Sequence, residues 1–575
     1  MKTYKTDILI LGSGGAGLFA ALHAHQANPA LSITVAVKGL LGKCGCTRMV
    51  QGGYNVALAE GDSVERHFMD TIEGGKWLPD QELAWTLVSV AVERIHELEN
   101  ELGCFFDRNP DGTVHQKAFA GQTFDRTVHK GDLTGIEIIN RLAEQVWARG
   151  INRLEEHRAV ELVKNRTGDA LAGVLMIDVR TGELVFVQAQ AVLLATGGGP
   201  TMYKYHTPSG DKTCDGMAMA LRAGLTLRDM EMVQFHPTGL LAGAHTRMTG
   251  TVLEEGLRGS GGYLLNGAQE RFMHKHDPRN ERATRDIVSR GMYLEMREGK
   301  LTPNGGLYIA MGHLGPENVR KLFKGMVERC DDCGFDLAGG LVEVVPTAHY
   351  MMGGVVFKAD CRSEVHGLFI AGEDSGGVHG ANRLGGNGVA NSTVFGGIAG
   401  DSMARWLEAG NGGYHEPDRA AIDAAVERCR APLSKKPGDI DALRERLYDV
   451  MWDEVGIIRD AASLARGETV LDQLEAELDE TGVAESNLAF NLTWHDWLNL
   501  KSLLLVSKSI RAAAMAREDS RGAHFRADFP EVRDLENSRY TCVTWKEGRF
   551  DVTTRPVAFT RVKPGETLLT EPAAA

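Results

Sequence analysis

The chain has 575 residues and a formal net charge of −14, which argues against a nucleic-acid binder. No apolar run approaches the roughly 18 residues of a membrane span. Nine cysteines at irregular spacings suit reduced thiols better than a disulfide framework. With no signal-type segment at Met1–Asp7, a cytoplasmic location is expected. At about 150 residues per domain the length suggests three or four domains. Glycine is over-represented at 68 residues, about 12% against a usual share of roughly 7%. The glycines sit in short clusters that close apolar runs, which points to backbone brought close to a large ligand.

Residues 6–11 read as a buried parallel strand, followed by Gly12-Ser13-Gly14-Gly15-Ala16-Gly17 and a helix through 18–24. A second strand at 33–37 completes a βαβ unit. Gly12, Gly14 and Gly17 form the G-x-G-x-x-G of a dinucleotide turn, in which a helix N-terminus faces a pyrophosphate. The acid expected about 20 residues later to hold ribose hydroxyls is missing. The strand ends in Val37-Lys38-Gly39 instead, and Asp215 is the candidate substitute from another loop.

Residues 80–102 read as an amphipathic helix, N-capped by Asp80 and stopped by Gly103; a second helix is expected over 134–149. The runs 159–164, 171–179 and 184–187, split by turn signals, read as an antiparallel meander. A further core strand follows at 191–195, ending in Thr196-Gly197-Gly198-Gly199. A meander placed after a βαβ unit fits a flavin-binding plan. Residues 236–349 read as an inserted second domain and 367–372 as a core strand. Helices are expected at 439–458, 468–480 and 494–517, and fraying over 571–575. Cys330-Asp-Asp-Cys333 is a lone C-x-x-C, read as a pair of loop cysteines without a metal.

Several long segments resemble the flavoprotein subunit of succinate dehydrogenase and fumarate reductase, with L-aspartate oxidase as a near relative. They are 11–17, Gln51-Gly52-Gly53, Phe119-Ala-Gly-Gln122, 229–239, Glu255-Gly-Leu-Arg-Gly259, Arg285-Asp286, 346–354, Gly372-Glu373, 379–387 and Ser520-Arg-Gly-Ala-His524. The resemblance implies an α/β fold. A Rossmann-like FAD-binding domain with its β-meander (1–235 and 350–412) would carry a capping domain (236–349), a helical domain (413–530) and a C-terminal segment (531–575).

It also implies FAD as cofactor. The expected binding positions are Gly12, Ser13, Gly14, Gly15, Ala16, Gly17, Lys38, Cys46, Thr47, Gln51, Gly52, Gly53, Ala159, Thr196, Gly197, Asp215, Tyr350, Glu373, Arg383, Gly388 and Val389. The family reaction interconverts a saturated and an α,β-unsaturated dicarboxylate. Carboxylate-binding roles carry over to His236, His349 and Arg383, and the proton-shuttling role to Arg285. Glu255 and Asp286 are the expected relay partners, and Phe119, Gln122 and Glu254 complete the substrate site. An iron–sulfur partner protein is implied, with association at the cytoplasmic face of a membrane through partners. An oxidase of the aspartate oxidase kind is the alternative, and a non-catalytic flavin-bearing scaffold a more distant one.

The chain departs from the family at three positions. Cys46 replaces the histidine that bonds covalently to flavin, so a non-covalent FAD is expected, with a cysteinyl thioether chemically conceivable. Gly388 replaces a serine. Glu254 replaces a threonine and puts a negative charge beside the expected anion. Three outcomes are open: Glu254 turns away, it is protonated, or the substrate is cationic or neutral at that end.

Overall fold

The computed structural model describes residues 1–243, 246, 248–485 and 487–569. The expectation for 571–575 therefore lies outside the described residues. The strand Lys2–Leu11 is the axis of the main sheet. It pairs in parallel with Ile33–Ala36 (Ile10↔Val35) and with Leu184–Leu194 (Leu9↔Val192). Leu368–Ile370 also pairs in parallel with Leu184–Leu194, as Phe369↔Leu193. The last three residues of Lys2–Leu11, Leu184–Leu194 and Leu368–Ile370 are buried, as two-sided parallel strands require.

The meander consists of His157–Lys164, Leu171–Asp178 and Leu184–Leu194, and it continues this same sheet. The sequence pattern suggests a break between 187 and 191, but one strand runs through. Gln188 and Gln190 do not interrupt it because each amide has a partner. Gln188 Nε2 donates to His415 O (2.8 Å) and Gln190 Nε2 to Asp7 Oδ1 (2.7 Å).

The helix Gly15–Ala27 packs on Asn387–Glu408 through small residues. A Cβ on Gly396 would lie 2.6 Å from Ala16 O, and one on Gly400 2.3 Å from Ala20 O. Asp80 caps Gln81–Asn100 by accepting from Glu82 N and Leu83 N. In the C-terminal part, Ile440–Asp453 stops five residues short of the expected end. Ala461–Glu480 begins seven residues earlier than expected, because Asp460 and Ser463 form a capping box. The hairpin Arg539–Lys546/Arg549–Pro556 pairs with Leu227–Arg228 and so joins the end of the chain to its middle.

A second four-stranded sheet orders Val233–Leu240, Leu341–Met351, Leu307–Ala310 and Tyr263–Leu265. It has its own core, including Leu240, Leu253, Phe272, Val288, Ile309 and Val344. Its strands Val233–Leu240 and Leu341–Met351 pair with each other (His236↔Thr347), with register shifts on either side of Phe235–His236. This pairing brings His236 and His349 together, with ring centroids 5.4 Å apart.

Candidate active site

Two cavities meet at Gly14, Thr196, Gly197 and Lys212 and form one trough. The larger encloses about 1320 Å³ of empty space open to solvent, the smaller about 570 Å³. The smaller is lined by Gly12, Ser13, Lys38, Ala159 and Asp215. Asp215 Oδ2 accepts from Lys38 Nζ (2.9 Å) and Oδ1 from Arg158 (2.8 Å). Burial opposes charge on Asp215, but Arg158 and Lys38 hold its carboxyl well below the usual range. Asp215 thus sits at the end of the second strand, in the region where the missing acid would have stood, neutralised by the lysine that replaced it.

The glycine turn lies between the two cavities. Gly12 has φ +112°, and a Cβ there would lie 2.1 Å from Ala195 O. The helix Gly15–Ala27 starts here with no acid in its first turn, and the buried Ser13 Oγ has no hydrogen-bond partner. An exposed helix start, an unpartnered hydroxyl and a glycine-lined trough fit a pyrophosphate. Gly17 does not line the trough: a Cβ there would lie 2.0 Å from Gly12 O, so its role is helix–strand packing.

The larger cavity is lined by Gly15, Ala16, Cys46, Thr47, Gln51, Gly52, Gly53, Tyr350, Glu373, Gly388 and Val389. Thr47 Oγ1 accepts from Gly15 N (3.1 Å) and ties this loop to the glycine turn. Glu373 Oε1 accepts from Met351 N (2.9 Å) and Gly199 N (3.3 Å). Burial pushes its carboxyl up to about 7 against those bonds, so it is suited to meet a hydroxyl-bearing chain. Burial, with Glu373 nearby, also raises the Cys46 thiol, which keeps it neutral. Lys212 lines both cavities and was not singled out from sequence; only its place beside Thr213-Cys-Asp215 hints at it.

At the far end stand His236, His349, Arg285, Arg383, Glu254, Glu255 and Phe119. Burial, with Arg285 nearby, holds both histidines well below their ordinary pKa, so they are neutral. His236 Nδ1 accepts from Thr238 N (3.3 Å), which leaves Nε2 as the N–H donor. His349 Nδ1 meets Thr207 Oγ1 at 2.7 Å. Arg383 is 5% exposed and makes no ion pair among the described residues. Its Nε has no partner, and its guanidinium lies 4.4 Å from the Tyr350 ring centroid. Burial and Arg285 pull its pKa down to about 10.

Arg285 Nε and Nη2 both donate to Glu255 Oε2 (3.1 and 2.6 Å), while Arg258 Nη2 donates to Glu255 Oε1 (2.9 Å). Burial raises Glu255, but Arg285 and Arg258 bring it below its ordinary value. Of the two expected relay partners, Glu255 bonds directly to Arg285, while Asp286 makes no side-chain hydrogen bond to it among the described residues and its Oδ1 is buried without a partner. Arg258 is the residue that sequence reasoning missed, although its spacing of three from Glu255 on a helical turn was a legible signal. Gln234 was missed as well. Its Oε1 accepts from Arg285 (3.0 Å) and its Nε2 donates to Arg383 O (2.7 Å), so it sets the two arginines relative to each other.

Two expected substrate residues behave differently. Gln122 does not line the cavity; its Nε2 donates to Gly385 O (3.0 Å) and supports that loop from behind. Glu254 does line it and does not turn away: Lys117 Nζ meets its Oε2 at 3.0 Å. The loop Ser520–His524 packs against Ala381, two residues before Arg383, with Ala523 N donating to Ala381 O (2.8 Å). Cys330 and Cys333, buried and half-buried, are free thiols at the end of the helix Lys324–Asp331.

Similarities to known proteins agree with this arrangement. Residues 7–389 match the FAD binding domain family and 444–569 the fumarate reductase flavoprotein C-terminal family. The chain is 40% identical to one subunit of the fumarate reductase (CoM/CoB) of Methanothermobacter marburgensis, covering 92% of this chain and 96% of that one. It is 34% identical to the 8-methylmenaquinol:fumarate reductase flavoprotein subunit of Wolinella succinogenes (97% and 91%). A solved structure of Escherichia coli quinol fumarate reductase superposes with a TM-score of 0.91 at 31% identity, covering 98% of this chain and 99% of that one. The chain is thus an FAD-dependent oxidoreductase, and it belongs to the family of fumarate reductase and succinate dehydrogenase flavoproteins.

Proposed function

We propose that the protein interconverts a saturated and an α,β-unsaturated dicarboxylate of the succinate/fumarate type. The observation that carries this reading is Arg383, a buried cation without an ion pair among the described residues that faces the same cavity as two neutral histidines and Arg285. Such a group is stable only when an anion reaches it. Bound FAD supplies hydride exchange at its N5.

The protein's own residues do the rest. Arg383 and His349 hold one carboxylate, and the His236 Nε2–H meets the other. Arg285 delivers or takes the proton on the carbon that the flavin does not address. An arginine can serve in this way only if its charge is relayed at once. Glu255, shared between Arg285 and Arg258, is the relay. Neutral histidines add donors without repelling the two arginines.

FAD is non-covalent in this reading, because position 46 offers a neutral thiol in place of an imidazole. The separate core of residues 240–344 supports a capping part between the two FAD-binding stretches, while the helical part shares the main core. Electrons pass to or from an iron–sulfur partner, in keeping with relatives named as subunits. No helix among the described residues is long and apolar enough to cross a membrane. In this reading, association at the cytoplasmic face of a membrane runs through partner subunits. The oxidase alternative rests on a non-covalent flavin and on Glu254; the Lys117 ion pair weakens the second support and leaves the first.

The test is FAD-loaded chain with a reduced viologen dye and fumarate. Dye oxidation that requires fumarate supports the reading. Absence of turnover with fumarate and with succinate plus an electron acceptor overturns it.

A further inference from the structure

An acid stands in this substrate site where the family resemblance expects a threonine. Glu254 is 5% exposed and lines the cavity beside Glu255. Its backbone N–H contacts Met326 Sδ at 3.5 Å, so the helix Lys324–Asp331 holds it from behind. Its Oε2 accepts from Lys117 Nζ, while Oε1 accepts from no described residue. A bare carboxylate here, 5% exposed, would repel an entering dianion.

Lys117 is not among the cavity-lining residues and reaches Glu254 from another part of the fold. It lies on the short strand Gln116–Lys117, which pairs with Thr127–Val128, and that strand pairs with Tyr54–Asn55 just after Gly53. Lys117 Nζ also meets Gly131 O at 3.4 Å and lies 5.9 Å from the ring centroid of Phe119, a cavity-lining residue. The Lys117–Glu254 pair therefore spans the cleft between the flavin side and the second sheet. A neighbouring bridge runs the same way. With the Gln51 amide oriented to satisfy its surroundings, its oxygen accepts from Arg329 (3.1 Å) and its nitrogen donates to Val252 O (3.2 Å).

We infer that Lys117 is a specificity-determining residue: by neutralising Glu254 across the cleft, it makes the site admit a dianion. The inference rests on the dicarboxylate reading above and refines it. It also answers why a glutamate is compatible with that reading without a cationic or amide-bearing substrate. Lys117 touches Glu254 and not the reacting atoms, so it acts on binding of the second carboxylate and leaves hydride and proton movement to the residues already described.

The experiment uses FAD-loaded wild type, Lys117→Met, Lys117→Arg, Glu254→Gln and the Lys117→Met/Glu254→Gln double variant. The readouts are KM and kcat for fumarate, and affinity for malonate (a dianion) and malonamate (a monoanion). Lys117→Met is expected to raise the fumarate KM about tenfold or more while kcat stays within a few-fold. Malonate affinity should fall by a similar factor, and malonamate affinity by less than about threefold. Adding Glu254→Gln should return KM to within a few-fold of wild type, since the stranded charge is gone. Lys117→Arg should behave as wild type, and Lys117→Gln serves if Lys117→Met does not fold.

A double variant as weak as Lys117→Met would overturn the inference, because Lys117 would then merely support the wall. So would a Lys117→Met variant with unchanged KM in a chain that turns over fumarate, and that result would leave the dicarboxylate reading standing. Wild type that binds malonamate but not malonate would overturn both.

Discussion

Arg285 places two nitrogens on a single oxygen of Glu255, at 3.1 and 2.6 Å, while Arg258 occupies the other oxygen at 2.9 Å. Glu255 is 2% exposed, so the three groups form a buried cluster in which one carboxylate serves two guanidiniums, the arrangement that the proposed relay requires. In Glu255→Gln the geometry survives but the relayed charge does not. We expect kcat for fumarate reduction to fall about 10²–10⁴-fold, the range assigned to a positioned acid–base group, with KM within a few-fold. Steady-state kinetics on variant protein with normal flavin content checks this, and an unchanged kcat would remove Glu255 from the relay.

Arg383 acts on binding. Arg383→Lys keeps a charge but loses the planar fork that matches a carboxylate. Arg383→Ala should raise the fumarate KM by about 10²-fold or more, with Arg383→Lys in between. Equal KM values for all three proteins would contradict a carboxylate-binding role.

The pH profile should lack a histidine limb. His236 and His349 are held neutral by burial and by nearby Arg285, so neither changes charge near pH 6.5. Arg383 is a cation whose pKa lies at about 10, so its charge is present below that pH and lost above it. KM for fumarate should therefore rise as pH climbs through about 10, and kcat/KM should show no step from these histidines between pH 6 and 8. A profile of kcat/KM against pH tests both statements.

The flavin should leave the protein on acid denaturation, because Cys46 is a half-buried neutral thiol. Yellow colour in the supernatant after precipitation is the expected result, and Cys46→Ser should retain FAD and most activity. Colour remaining in the pellet would identify a covalent link.

Asp215 is the counter-ion of both Lys38 and Arg158. Asp215→Ala strands two cations, and removing one member of a buried pair costs roughly 3–5 kcal/mol. A lower urea midpoint and weaker FAD retention are expected in this variant, while Asp215→Asn should lose less because it keeps a hydrogen-bond acceptor.

The local order of the chain was legible because it is written in local chemistry. The apolar run before Gly12 and the glycines at 12, 14 and 17 gave the strand, turn and helix. Asp80 and Gly103 bounded a helix that the structure places at Gln81–Asn100. The continuity of Leu184–Leu194 was not legible, because Gln188 and Gln190 look like a break until their distant partners, His415 and Asp7, are known.

The glycine surplus pointed to a large ligand, since a backbone that approaches one must give up side chains in recognisable places, and the family resemblance supplied the cofactor and most of the candidate positions. Only the tertiary structure decided how those positions are wired. It put Arg258 rather than Asp286 against Glu255, left Gln122 out of the cavity lining and set Gln234 between two arginines. It also brought Lys117 across the cleft to Glu254, 137 residues apart in sequence. Charge compensation over such a distance leaves no periodic or spacing signal, because any cation that the fold delivers within about 3 Å will serve.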